Sequence, residues 1–229
     1  MSRSSSAQEV ERQYLEGMSP DLGPFFYGLW NECALLHWKW GEYRILFGTK
    51  PERVDILIAA AGTFFRLVQD TLWENILLHI ARLVDPPKTK GKSNLTLRRL
   101  PGLVDPAIRA QTEQLLQCCR DKAQFAVDSR HRRLAHCDLD LALQQGAQPL
   151  APASRASVQE AIDAIAALLN SVDLHYRNQT VAYGALPPIG NAESLLYVLM
   201  DGLAAEDRRR ERLLSGNLAP EESNPPQEI

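Results

Sequence analysis

The chain has 229 residues, 45% of them hydrophobic, which is enough to bury the core of one large domain or two small ones. Its formal charge of -3 excludes a uniformly basic surface of the kind that coats DNA. Any contact with nucleic acid must therefore come from a local cluster of arginine or lysine side chains.

Neither the cysteines nor the apolar stretches point to export. The four cysteines have no CxxC pair and no zinc-ligand spacing, so they predict reduced thiols and no metal site. Residues 1–13 lack the apolar region of a secretory signal. The longest apolar run, residues 56–65, is far shorter than the roughly 20 residues that span a bilayer. We therefore predict a cytoplasmic protein without membrane contact.

Two long helices are predicted in the first third of the chain. Apolar residues recur every three or four positions over residues 26–47 and again over residues 54–83, which places them along one side of a helix. Gly48 is expected to end the first helix. Thr49 with Glu52 predicts a capping box at the start of the second.

The end of the second helix is marked by Pro86 and Pro87, because proline cannot donate to the helical hydrogen-bond ladder. Gly62 is a candidate bend midway along the helix. Residues 85–94 combine proline, glycine and lysine without periodicity and predict an exposed, mobile loop. Asp105 and Pro106 then form an N-cap and first-turn pair for the next helical segment.

That third helical segment extends to Leu143, with a break expected near residues 135–140. Ser157 with Glu160 predicts a capping box for a fourth helix. A turn at residues 182–191 precedes a last helix with leucines at helical spacing.

No segment alternates like a strand, so the fold class is all-α, a bundle of about five helices without a sheet. The predicted organisation is a flexible N-terminal segment over residues 1–20, a single helical domain over residues 21–214 and a polar tail over residues 215–229. The tail is rich in proline and glutamate and predicts disorder.

One stretch, residues 128–138, contains the candidate catalytic residues. Its five basic side chains are Arg130, His131, Arg132, Arg133 and His136. Guanidinium groups offer planar donors to phosphate oxygens, and an imidazole gives or takes a proton near neutral pH. Together they suit phosphodiester chemistry. The alternative is a solvated basic face of a helix without a catalytic role.

The pattern Arg130-His131-x4-His136 resembles the Arg-polar-x(4–6)-His signature of the HEPN superfamily. A second resemblance extends over residues 29–138 and is similar to the AbiU-type abortive-infection branch of that superfamily. The residues that carry it are Leu29-Trp30-Asn31-Glu32, Trp40, Tyr43-Arg44, Leu46-Phe47, Ala81-Arg82-Leu83, Asp85 and Asn94-Leu95.

The resemblance implies an HEPN-like helical bundle that acts as a metal-independent endoribonuclease without a cofactor. It implies a homodimer that brings two copies of the motif into one cleft. RNA is the implied partner, and an antitoxin or inhibitor protein a further one. Arg130 and His136 match the two signature positions, and His131 occupies the variable polar position. Arg132 and Arg133 are not signature residues.

The implied reaction is attack of an RNA 2′-hydroxyl on the neighbouring phosphate, which leaves a cyclic phosphate. His136 would act as general acid or base, and Arg130 would stabilise the phosphorane charge. On a regular helix six residues place these two side chains about 120° apart, so convergence needs a helix distortion or the partner subunit. By proximity, Asp138 is expected to hold His136 in one tautomer. Candidate substrate-binding residues are His131, Arg132, Arg133 and Asp138.

Two other functions remain open from the sequence. The first is a catalytically inactive helical dimer that binds nucleotides, RNA or another protein. The second is a helical DNA-binding regulator, which the negative charge and the absence of a basic recognition helix disfavour. Away from the motif, His37, His79 and His175 are predicted to be hydrogen-bonded structural histidines rather than catalytic ones.

Overall fold

The structure, a computed structural model, describes residues 7–134, 139–143, 150–184 and 190–217, and these ranges are mostly helical. The helices are α1 (Ala7–Gly17), α2 (Leu22–Tyr43), α3 (Pro51–Leu83), α4 (Leu100–Leu103), α5 (Pro106–Lys122), α6 (Gln124–Ser129), α7 (Leu139–Ala142), α8 (Arg155–Arg177) and α9 (Ala192–Leu214). Two wider π-helical turns occupy Arg44–Gly48 and Arg130–Leu134, and a 3₁₀ turn occupies Leu97–Arg99.

The prediction of about five helices and no sheet is wrong in both details. Helix α1 lies within residues 1–20, where a flexible segment was expected. The segment predicted as one helix up to Leu143 is divided, because Ala123 ends α5 in a turn. Strands β1 (Lys88–Thr89) and β2 (Lys92–Ser93) pair antiparallel within the predicted loop. Strands of two residues are too short to show an alternating pattern.

Side-chain caps close the first turns of α5 and α8. The Asp105 carboxylate accepts a hydrogen bond from the backbone N–H of Ala107 at 2.7 Å, which confirms the predicted N-cap of α5. Helix α8 begins three residues earlier than expected, because Ser154 is its N-cap. Ser157 is the other partner of the capping box: its backbone N–H donates to the Ser154 hydroxyl, and its own hydroxyl accepts from the backbone N–H of Ser154.

The chain divides into two compact units. Unit 1 comprises residues 1–41 and 71–187, and unit 2 comprises residues 42–70 and 188–229. The single domain over residues 21–214 stays a prediction. Among the helices of the described residues, none is long and apolar enough to cross a membrane.

The core of unit 1 forms where the apolar stripes of α2 and α8 are buried. Six of the eight residues in the predicted α2 stripe are buried, five of them in unit 1, and so are all five in the α8 stripe. Helix α5 packs along α8. The buried stripe residues of unit 1 are Phe26, Leu29, Cys33, Leu36, Trp40, Ile162, Ile165, Leu168, Leu169 and Val172. Periodicity in the sequence therefore identified this core correctly.

Unit 2 holds a smaller apolar core. Its buried members are Leu46, Leu57, Phe65, Ala192 and Leu196. Helix α3 is interrupted in this unit by a kink at Ala61, one residue before the bend predicted at Gly62. The capping box predicted at Thr49 is wrong, since the Thr49 hydroxyl instead accepts a hydrogen bond from the Arg53 side chain at 3.2 Å.

His79 is a structural histidine of unit 1, as predicted, with 3% of its surface exposed. Its Nε2 lies 2.9 Å from a carboxylate oxygen of Glu32, and its Nδ1 lies 3.3 Å from the ammonium group of Lys39. Burial, together with the charge of Lys39, lowers the pKa of His79 to about 4. The folded protein therefore keeps this imidazole neutral at pH 7.

Acidification is expected to destabilise the protein through His79. In the unfolded chain this residue binds a proton near its ordinary pKa of 6.5, but in the folded chain only near pH 4. The unfolded state therefore binds more protons in this window, and the free energy of unfolding falls as the pH is lowered. In urea unfolding, the free energy of unfolding should fall more between pH 7 and pH 4 in the wild type than in His79→Gln. The difference between the two proteins should be on the order of 2 kcal/mol.

The prediction of a structural role for His175 is wrong, because this histidine of α8 is exposed. His175→Gln is therefore the matched control for this experiment. It should retain the pH dependence of the wild type. An unchanged pH dependence in His79→Gln would contradict the assignment.

Candidate active site

The predicted motif begins in a distorted segment of helix. Residues Arg130–Leu134 form a π-helical turn directly after α6. Turns of this kind interrupt the regular spacing of side chains and recur at functional sites. A helix distortion, one of the two conditions under which the sequence allows convergence, is therefore present at Arg130. His136 and Asp138 lie outside the described residues, so their assigned roles stay predictions.

Arg130 opens onto a pocket of unit 1 with a volume of about 280 Å³. The pocket lies between the end of α3, the hairpin, the 3₁₀ turn, α5 and the π-helical turn. The polar residues that line it include Asp85, Thr89, Arg98, Arg120, Arg130 and His131. Segments distant in the sequence thus supply its positive charge.

An ion pair between Asp85 and Arg130 fixes the central side chain of the pocket. One Arg130 terminal nitrogen donates to an Asp85 carboxylate oxygen, and the side chains of both residues are 19% exposed. The other terminal nitrogen lies 2.9 Å from Nε2 of His131. Because a guanidinium group can only donate, this His131 nitrogen accepts. Arg130 is therefore oriented from two sides.

Thr96 connects two walls of the pocket. Its hydroxyl lies 3.0 Å from the carbonyl oxygen of Leu83 and 2.8 Å from that of Asp85, and the residue is fully buried. The same oxygen accepts a hydrogen bond from the backbone N–H of Arg98 at 3.4 Å. One threonine thereby holds the backbone of Asp85 and the turn that carries Arg98 together.

The pocket carries an excess of positive charge. Three guanidinium groups, of Arg98, Arg120 and Arg130, line it with the carboxylate of Asp85. Within the part of the chain that the structure describes, Arg98 and Arg120 form no salt bridge. Since no carboxylate of the described residues neutralises their charge, the pocket is suited to an anion such as a phosphate group.

Two of the predicted substrate-binding residues lie elsewhere. Arg132 faces Asp128, with 3.8 Å between a guanidinium nitrogen and a carboxylate oxygen. Arg133 is 3.3 Å from a Glu74 carboxylate oxygen and lines a different pocket with Trp73. The structure therefore brings Arg130 and His131 together and separates them from Arg132 and Arg133.

The sequence analysis did not identify Arg98 or Arg120 as site residues, and gave Asp85 no role. Arg98 and Arg120 come from segments that show no motif, so only the tertiary fold reveals that they share a pocket with Arg130. A signal existed for Asp85, because it is one of the residues that carry the AbiU-type resemblance and lies two residues after the end of α3.

A comparison with known proteins agrees with the AbiU-type resemblance. The model of the family described as HEPN_AbiU2, AbiU2, matches residues 19–194. The matched range includes every residue of the Arg130 pocket. No curated protein and no solved structure matches the chain.

The pocket is expected to bind phosphate anions. Arg120→Gln removes one positive charge from its wall and should weaken the binding of inorganic pyrophosphate by about five-fold, because charge-assisted hydrogen bonds contribute roughly 1.5–3 kcal/mol when fully formed and less when exposed. Isothermal titration calorimetry at low ionic strength measures this change.

Arg133→Gln is the matched control, since it removes the same charge from the other pocket. It should alter the affinity by less than about two-fold, through general screening alone. Equal losses in the two variants would show that pyrophosphate responds to net charge rather than to this pocket.

Proposed function

This chain belongs to the AbiU2 family of HEPN proteins, and we propose that it is a metal-independent endoribonuclease that cleaves RNA as a toxin or antiviral effector. The observation that carries the proposal is the oriented guanidinium group of Arg130 in a positively charged pocket. Such a pocket stabilises the negative charge that develops on a phosphodiester during cleavage. The alternative of a solvated helix face is disfavoured for Arg130, whose side chain is mostly buried.

The proposed reaction needs two proton transfers. The 2′-hydroxyl loses a proton and attacks the adjacent phosphorus, the bond to the 5′-oxygen breaks, and that oxygen takes up a proton. The products are a 2′,3′-cyclic phosphate and a free 5′-hydroxyl. Arg130 donates to a non-bridging oxygen of the phosphorane, and His136 supplies general acid or base catalysis.

His131 has a positioning role in this proposal. Its Nε2 accepts from Arg130, so it opposes Asp85 in holding the guanidinium plane. In the proposed homodimer, a second copy of the motif supplies the second imidazole that the paired proton transfers require. An antitoxin or inhibitor protein would act by covering this pocket.

A second candidate function is binding without turnover. The pocket of the described residues provides charge and orientation, which is sufficient for a nucleotide or RNA ligand without any proton transfer. The two candidates differ only in whether an imidazole reaches the bound phosphate.

Cleavage of RNA in the presence of a chelator distinguishes the two functions. Purified protein with total RNA and EDTA is expected to give fragments that end in a cyclic phosphate. His136→Ala should slow cleavage by about 10²–10⁴-fold, the usual contribution of positioned proton transfer, without lowering the unfolding temperature. Arg130→Ala should likewise slow cleavage, by about 10²–10³-fold, because the phosphorane charge is then unpaired.

Arg133→Ala serves as the control, since this residue lies outside the Arg130 pocket and should leave the rate close to that of the wild type. Intact RNA over a wide range of protein concentrations would favour the binding function. Cleavage that EDTA stops would contradict the metal-independent mechanism.

A further inference from the structure

A small hairpin borders the Arg130 pocket. Strands β1 and β2 are joined by a two-residue turn in which Lys90 and Gly91 have φ values of +48° and +80°. Two positive φ values are the signature of a tight hairpin turn, where asparagine, aspartate or glycine is usual.

The hairpin is held firmly at its base. The Asn94 side-chain amide donates to the carbonyl oxygen of Pro86 at 2.7 Å and to the Thr89 hydroxyl at 2.8 Å. The Asn94 backbone N–H donates to the carbonyl oxygen of Pro87 at 2.9 Å. These bonds close the ends of the hairpin on the segment that follows α3, so its position next to Asp85 is defined.

Strand pairing decides which lysine lies on the pocket side. Directly opposite residues of an antiparallel pair place their side chains on the same face, and successive residues alternate between faces. Thr89 pairs with Lys92, and Lys88 pairs with Ser93. Thr89 lines the pocket. The side chain of Lys92 therefore projects from the same face of the hairpin as that of Thr89, whereas Lys88 lies on the opposite face.

From this arrangement we propose that Lys92 binds the phosphate next to the one held by Arg130, so that the hairpin guides a single-stranded RNA across the pocket. This inference rests on the function proposed above for the same site. A flexible single strand can place one phosphate in the pocket and lay the next along the hairpin. An ammonium group contacts phosphate without reading the base, so this subsite recognises backbone and not sequence.

The proposal predicts a position-specific loss of affinity. The probe is a fluorescently labelled single-stranded RNA of ten nucleotides, with 2′-O-methyl groups that prevent cleavage, and its binding is followed by anisotropy. Lys92→Gln should raise the Kd by about five-fold and reduce the slope of log K against log salt by about 0.7, the value for one lost contact with a single strand.

Lys88→Gln is the matched control, because it removes the same charge from the same hairpin on the other face. It should change the Kd by less than about two-fold. With the cleavable RNA of the same sequence, Lys92→Gln should raise KM more than it lowers kcat, since the subsite contributes mainly to binding.

The outcomes separate the subsite from the nuclease function. Binding that depends on Lys92 and not on Lys88, without any cleavage by the wild type, supports the subsite and overturns the nuclease. Cleavage with equal effects of the two substitutions overturns the subsite and retains the nuclease. Failure of the wild type to bind the methylated RNA at low salt overturns the subsite as well.

Discussion

The ion pair between Asp85 and Arg130 is the interaction on which the candidate site depends. A partly buried guanidinium group is stable only when its charge is compensated, and Asp85 supplies that charge from a different segment of the chain. The pair also joins the end of α3 to the π-helical turn. Because Asp85 pairs with Arg130, it does not neutralise Arg98 or Arg120, which have no carboxylate partner among the described residues. The pocket therefore keeps its capacity for an anion.

The rest of unit 1 holds this pair in place. Helix α3 ends at Leu83, and the chain then turns back at Pro86 and Pro87, so that Asp85 lies beyond the last helical turn. Thr96 ties that segment to the turn bearing Arg98, and Asn94 closes the hairpin. The pocket is thus built from element ends on a helical scaffold, the arrangement that positions binding groups in many proteins.

The sequence predicted the large helices well, because a stripe of apolar residues over twenty positions has only one simple explanation. The buried faces of α2 and α8 follow from it directly. The hairpin was missed because two-residue strands carry no period, and the start of α8 was misplaced because Ser154 and Ser157 are equally good caps by type. The AbiU-type resemblance is confirmed by the family match.

The site was predictable only in part. Arg130 and His131 stand next to each other in a recognisable motif, whereas Arg98 and Arg120 reach the pocket through tertiary packing that no local pattern encodes. Arg132 and Arg133 were grouped with them by sequence proximity, but successive positions of a helix point in different directions, and the structure separates them. The assignment of His136 remains a prediction, together with the homodimer and the RNA partner.

The most direct test of the account is a double-mutant cycle on the rate of RNA cleavage with Asp85→Asn, Arg130→Gln and the two combined. If Asp85 acts by orienting Arg130, its substitution should slow the wild type by about ten-fold and have almost no further effect once Arg130 is replaced, since interacting residues are not additive. Losses that multiply independently would show that the ion pair does not organise the site.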